Sequence, residues 1–362
     1  MNLFKRSLIG SLGLLFALTT PLTGCVDDLP TGPDPTRSTL PFTARAYFSQ
    51  ANQNLEHEQI YSIDRATESI YVFMPRFSNG AITQALLRAK QRGVNVSIAT
   101  PASGTGAAEY TKLRAAGIPA KGITQKRNGQ DWDDTHRYMV VDQRYVWLNS
   151  SDLTAADQTN NDNNALMFDL PALAAQFIRH FNSEYGMATP TFEEIASGGS
   201  TASTQPAYAL LRMAPNDEIE YTLSSEIGRA KTSVRFLSPT LTSNSITNTL
   251  SSLAAKGVTV MGVVEKDNAS ASEGQYTQIN DKGGDIRVDG NPHSMNHSVV
   301  IIDGHTIIVG SYALQSESKS SQSLLKIRYD NSLNLEYTNE FSRIFSQSNT
   351  LVGPKPSISP MP

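Results

Sequence analysis

The chain repeats itself, and this constrains its fold more than any other feature. One segment reads Thr135-His136-Arg137-Tyr138-Met139-Val140-Val141-Asp142, followed by Val146-Trp147-Leu148-Asn149-Ser150-Ser151-Asp152. A second reads Asn296-His297-Ser298-Val299-Val300-Ile301-Ile302-Asp303, followed by Ile307-Ile308-Val309-Gly310-Ser311-Tyr312-Ala313. Each reads as a strand, a turn, a second strand and a loop that carries serine. The copies are offset by 164 residues at Ser69/Ser233 and by 161 at Asp142/Asp303, so few insertions separate them.

The repeat extends upstream. Ser69 to Phe73 and Ser233 to Leu237 read as strands. Ile82 to Lys90 follows as a helix, with Ile82, Ala85, Leu86 and Ala89 at i, i+3, i+4 and i+7. Arg92-Gly93 stops it, and Val94 to Ile98 alternates as a strand. The second copy runs Ile246 to Ala255, then Lys256-Gly257, then Val258 to Val260. Each copy closes with a helix, Leu170 to Tyr185 and Leu335 to Phe345. Alternation of this kind predicts an α/β fold with a mainly parallel sheet in each half.

The paired segments resemble the H-x-K-x-x-x-x-D…G-S-x-N signature of the phospholipase D superfamily over roughly residues 44–348. The resemblance implies two phospholipase D-like βα repeats packed about a pseudo-two-fold axis, with a cleft between them. It also implies a covalent phospho-histidine mechanism that needs no metal or other cofactor. One histidine attacks phosphorus and the other carries protons, while lysines and asparagines hold the phosphate oxygens. This chain departs from the signature. Thr135 and Asn296 stand at the histidine positions, and Arg137 and Ser298 at the lysine positions. Ser150 and Ser311 are kept, while Asp152 and Ala313 replace asparagine. Asp142 and Asp303 are kept too, and read equally well as turn residues after a Val/Ile strand.

His136 and His297 each lie one residue beyond a lost histidine. Neighbouring side chains on a strand point to opposite faces, so these imidazoles enter the cleft only if both strands slip or bulge. His293 follows a proline near the second motif and is a weaker pocket candidate; His305 reads as a turn residue, His180 as helix surface or core rim, and His57 as solvated. The histidine spacing gives no zinc signature.

The chain ends bear on location. Lys5 and Arg6, the apolar run Ser7 to Leu18, and Leu22-Thr23-Gly24-Cys25 read as a lipoprotein signal peptide (1–24) with Cys25 as the lipidation site. Cys25 is the only cysteine, so no internal disulfide forms. A diacylglyceryl group there anchors the chain, at about 0.8 kcal/mol per buried methylene. Val26 after the cysteine points to the outer membrane of a Gram-negative envelope, facing the periplasm. Without Lys5 and Arg6 the chain carries 28 basic against 34 acidic residues, which gives no general attraction to nucleic acid or anionic lipid. The predicted organisation is a tether at 25–43, repeats at 44–187 and 207–348, a Ser/Gly-rich linker at 188–206, and a disordered tail at 349–362.

Three readings follow. The chain is a catalytically impaired binding protein for a phosphodiester ligand (phospholipid or nucleic acid) or a protein; or a phosphodiesterase that uses displaced His136 and His297; or a structural envelope lipoprotein.

Overall fold

A computed structural model describes residues 42–350, apart from 51–53, 102–107, 124, 128–129, 185–207, 214–218, 317–319 and 329. The signal peptide, Cys25, almost all of the tether and the 188–206 linker lie outside the described residues. No helix among the described residues is long and apolar enough to cross a membrane.

The first half runs β1 (Thr43–Phe48), α1 (Leu55–Arg65), β2 (Ser69–Phe73), α2 (Gly80–Gln91), β3 (Asn95–Pro101), α3 (Ala108–Ala115) and β4 (Ala120–Ile123). It continues with β5 (Gln125–Arg127), β6 (Gln130–Asp134), β7 (Tyr138–Val141), β8 (Tyr145–Asn149), α4 (Ala155–Thr159), β9 (Asn164–Asp169) and α5 (Pro171–Glu184). The second half runs β10 (Tyr208–Met213), α6 (Ile219–Gly228), β11 (Ser233–Ser238), α7 (Asn244–Ala255), β12 (Thr259–Val264), α8 (Glu273–Asn280) and β13 (Asp285–Val288). Then come β14 (Val299–Ile302), β15 (Thr306–Gly310), β16 (Ser320–Ser321), β17 (Ser323–Arg328), α9 (Asn331–Gln347) and β18 (Asn349–Thr350).

The halves form two large sheets, ordered β1-β9-β8-β7-β2-β3-β4 and β10-β17-β15-β14-β11-β12-β13-β18. The expectation of mainly parallel sheets is corrected here. Only β2-β3-β4 and β11-β12-β13 pair in parallel, and the remaining pairs in these sheets are antiparallel. The reason is connection length. Helices join the parallel strands, whereas short turns at Asp142 and Asp303 make β7–β8 and β14–β15 hairpins. β1 starts at Thr43, the last residue of the expected tether, and β18, the first two residues of the expected tail, pairs with β13.

The helices form for matching local reasons. Asn79 accepts from the backbone of Ala81 and Ile82 to cap α2, and Ser243 accepts from Ile246 to cap α7. Both helices end before a glycine at positive φ, Gly93 at 90° and Gly257 at 86°. The apolar face predicted for α2 is buried, at Ile82, Ala85, Leu86 and Ala89.

Each sheet buries its outer face under its own helices. In the first half Leu86 and Tyr110 pack with Ile70 and Val96; in the second Leu250 and Ile279 pack with Val234 and Val260. The inner faces share one core, where α5 (Leu173, Phe177, Phe181) and α9 (Leu333, Tyr337, Phe341) pack together with residues of both sheets. The halves also interlock through the backbone. Ser321 of β16 pairs in parallel with Asp134 of β6, and Asp162 forms a parallel bridge with Met295. These contacts are pseudo-two-fold mates, and each holds the segment just before a motif against the other repeat.

Candidate functional site

β6 leads into Thr135, and β7 begins three residues later at Tyr138. Side chains alternate through this stretch. Thr135 and Arg137 line a cavity of about 240 Å³, while His136 is fully buried behind them. The second motif does the same, with Asn296 and Ser298 in the cavity wall and His297 fully buried. Ser150, Asp152, Ser311 and Ala313 complete the expected set around the cavity. All four degenerate His/Lys positions therefore converge on one cleft between the repeats.

No histidine or lysine lines this cavity among the described residues. His136 and His297 do not enter the cavity: both are fully buried behind its wall. His136 packs beside His180, with ring centroids 4.3 Å apart, and edge-on to Phe73. Burial pushes its pKa down to about 3, against a backbone hydrogen bond at Gln322, so the ring is neutral near pH 7. His180 is itself buried, not at a surface, and hydrogen-bonds Tyr138 at 2.9 Å. His297 spans the repeat interface. Its Nδ1 is 2.8 Å from Asn164 Oδ1 and its Nε2 is 3.2 Å from Glu340 Oε1. His293 is exposed and outside the cavity wall.

Asp162, His297 and Glu340 place ligand-type atoms within 4.8 Å of one another. Arg343 already supplies positive charge there, since its guanidinium bonds both Asp162 and Glu340. The cluster is a buried ion network that joins α9 to the first repeat.

Asp142 and Asp303 act away from the cavity. Both sit at positive φ, 53° and 52°, which a short polar side chain tolerates. Asp142 accepts from the backbone of Thr67, Glu68 and Ser69, and Asp303 from Lys231, Thr232 and Ser233. Partial burial opposes ionisation, but these backbone donors outweigh it and hold both carboxyls below the usual range. Each aspartate thus staples its hairpin turn to the start of the neighbouring strand. Ser150 and Ser311 also do symmetric work, accepting at 3.0 Å from the backbone of Asn164 and Ser323.

Among the described residues, the charged side chains of the cleft lie on one wall. Asp152, buried, accepts from Arg137 Nε at 3.1 Å and from Arg76 Nε at 2.7 Å. Asp157 lies 3.9 Å from Arg76 and accepts from Asn296 across the cleft at 3.3 Å. Arg76 and Asp157 were missed by the motif reading. Arg76 follows the C-terminal end of β2, where ligands of α/β sheets collect, and that position was its available signal. The wall from the second repeat offers only hydroxyl, amide and apolar side chains among the described residues, including Asn296, Ser298 and Gln322.

The sequence matches the family described as cardiolipin synthase, PLD-like domain, over residues 60–185 and 223–345. The chain belongs to the phospholipase D-like family. One matched segment falls in each half and covers most strands of its sheet, so the repeats are family domains. Phosphatidylserine synthase from Haemophilus influenzae Rd KW20 is similar in structure at 13% identity, covering 86% of this chain and 89% of that one, with a TM-score of 0.67. Polyphosphate kinase from Porphyromonas gingivalis is similar at 12% identity and a TM-score of 0.60, covering 83% of this chain but 46% of the kinase. These similarities bear on fold alone. None of the curated proteins compared with the chain matches it.

Proposed function

We propose that this chain is a catalytically silent phospholipase D-like lipoprotein whose inter-repeat cleft serves binding. One observation carries the reading: the side chains facing the cleft at the four His/Lys positions are Thr135, Arg137, Asn296 and Ser298. Phosphoryl transfer in this family calls for an imidazole nucleophile and an imidazole acid. A threonine hydroxyl is a poor nucleophile without a base, and an amide moves no proton. His136 cannot substitute, since it is buried on the opposite face and stays neutral and enclosed. The cavity of about 240 Å³ favours a ligand over a purely structural role, for which a filled cleft would be expected. Lipidation at Cys25 would hold the cleft at a membrane surface.

The test is hydrolysis of bis(p-nitrophenyl) phosphate by the mature chain. No turnover above buffer is expected. Turnover that is abolished by His136→Ala with His297→Ala would overturn the reading in favour of the displaced histidines.

A further inference from the structure

The two ends of the sheets differ in charge. The cleft lies where β2 ends and β7 begins, at Arg76, Thr135 and Arg137. The opposite end, the foot, holds the turns at Asp142 and Asp303, which bond the backbone of Ser69 and Ser233. The starts of β3 and β12 lie there too, since Asn95 pairs with Ser69 and Thr259 with Ser233.

Both repeats present their foot on the same side, as the path of α9 shows. It starts just after Arg328, the last residue of β17, which pairs with Thr306 beside the Asp303 turn. It ends at Gln347, whose carbonyl abuts Gly290 beyond the far end of β13. Along the first repeat it climbs in the same sense. Glu336 meets Ala46, Tyr337 meets Asn164 at the head of β9, and Arg343 meets Asp162 above the strands.

Helices that lead into parallel strands bring their C-terminal ends to the foot, where cations are locally favoured. Arg65, Arg229, Lys231, Lys256 and Lys282 are exposed there, and none forms an ion pair among the described residues. Only two exposed carboxylates, Glu68 and Asp281, stand near them among the described residues. Other carboxylates of this end are engaged. Asp64, Asp169 and Asp285 pair with arginines, and Asp142, Asp303 and Asp330 accept from backbone N–H groups. The cleft end has the other sign, since Glu56, Glu58, Glu220 and Glu273 open helices there. The net negative charge of the chain thus conceals a basic foot.

A second observation selects the partner. Thr43, where the chain enters the first sheet, lies opposite Asp169 at this same end. The segment that leads from Cys25 therefore joins the domain at its basic side. We propose that the foot docks on an anionic lipid surface, with the inter-repeat cleft turned away from that bilayer. This goes beyond the role of the cleft and holds whether or not the cleft hydrolyses. Lipid phosphates meet the exposed Lys and Arg side chains, an attraction that salt screens. Ligands then reach the cleft from the aqueous side, roughly 25 Å from the headgroups, the length of the 17 residues of α9.

The experiment is vesicle co-sedimentation of the chain that begins at residue 25 and carries Cys25→Ser. It keeps every described residue, and no acyl group contributes. Binding is expected to vesicles of phosphatidylcholine mixed with phosphatidylglycerol, not to phosphatidylcholine alone, and high salt should release it. Arg229→Gln with Lys256→Gln should weaken it about twentyfold, roughly fivefold per charge removed. Arg229→Glu with Lys256→Glu should weaken it further, and thermal melting checks that both pairs stay folded. With Cys25 gone, a dye on Ser252→Cys, near the foot, should be quenched by headgroup-labelled nitroxide lipid. A dye on Ser316→Cys, beside the cleft, should not. Absence of binding, binding that ignores lipid charge, indifference to the glutamine pair, or the reverse quenching pattern overturns the proposal. An oligonucleotide that binds where vesicles do not assigns the face to nucleic acid and overturns it too. Hydrolysis of bis(p-nitrophenyl) phosphate would instead overturn the silent reading of the cleft and leave the docking face standing.

Discussion

Arg137 Nε lies 3.1 Å from Asp152 Oδ1, so charge kept at one motif position is neutralised by charge gained at another. Changes at two positions distant in sequence thereby make one local ion pair. The pair removes both the free cation and the neutral amide that phosphate binding in this family calls for. The cleft thus departs from the family signature by more than its missing histidines.

Repair should follow the same logic. Thr135→His, Arg137→Lys, Asn296→His and Ser298→Lys place nucleophile, acid and clamps on the strand faces that already line the cleft. This fourfold variant is expected to hydrolyse bis(p-nitrophenyl) phosphate where the parent does not. Adding Asp152→Asn and Ala313→Asn should raise the rate roughly tenfold or more, since each restores a donor toward the phosphate. The groups act as a unit, so partial sets should stay silent. A folded sixfold variant without activity would mean that the two walls are misplaced for phosphoryl transfer.

Much of this site was legible in the sequence, for a simple reason. A period of two assigns Thr135 and Arg137 to one face and His136 to the other, and the cavity lining keeps that alternation. Helix stops at Gly93 and Gly257 were equally local and equally readable. What escaped depends on distant pairing. Ser321 meeting Asp134, and Asp162 meeting Met295, join residues more than a hundred positions apart through very short bridges that leave no periodic trace. β1 escaped because its partner β9 lies far along the chain and its own sequence, TARAYF, has large apolar residues only at its end. His180 reads as helix surface until Tyr138 and His136 are known to lie over it.

The staple at Asp142 predicts a stability effect without a cleft effect. Asp142→Ala removes the acceptor for the backbone N–H groups of Thr67, Glu68 and Ser69, and leaves alanine at positive φ. A loss of about 1–3 kcal/mol in urea unfolding is expected. Asp142→Asn should lose less, since asparagine keeps an acceptor and tolerates the left-handed region. Equal losses for the two variants would contradict the staple.

Anchorage gives a cellular prediction. On the proposed lipidation, Cys25→Ser should move the chain from the membrane to the soluble fraction, because acyl chains on Cys25 would supply about 0.8 kcal/mol per buried methylene and serine carries none. Unchanged membrane association would remove lipidation from the proposal.

Glu340 should set part of the acid sensitivity. Burial alone would raise its pKa, but hydrogen bonds and charge from Arg343 and His297 outweigh it and pull it down from 4.5 to about 2. A folded-state value below the unfolded one gives stability that is complete above about pH 4.5 and lost as pH falls toward 2. Glu340→Gln leaves Arg343 and His297 short of a buried anion, at a cost of about 3 kcal/mol near neutral pH. The deficit relative to the parent should shrink as pH drops through that window. Urea unfolding of both chains across the acid range measures it, and a pH-independent deficit would assign the loss to packing.

Asp289 should show the opposite sign. It is buried at the end of β13, and Oδ2 makes no hydrogen bond within the protein. Burial, with the charges of Asp162 and Glu265, raises its pKa from 3.8 to about 6, against a backbone hydrogen bond from Asn291 and the charge of Lys266. A folded-state value above the unfolded one means that the native state holds the proton more tightly. This carboxyl therefore favours folding below about pH 4 and loses that contribution as pH rises through 6. Asp289→Asn removes the ionisation, so it should stabilise the chain near neutral pH by up to about 3 kcal/mol and change little below about pH 4. The comparison is a pair of urea titrations, one at each pH. Destabilisation near neutral pH would mean that ionised Asp289 is held by the groups around it, and would reverse the sign argued here.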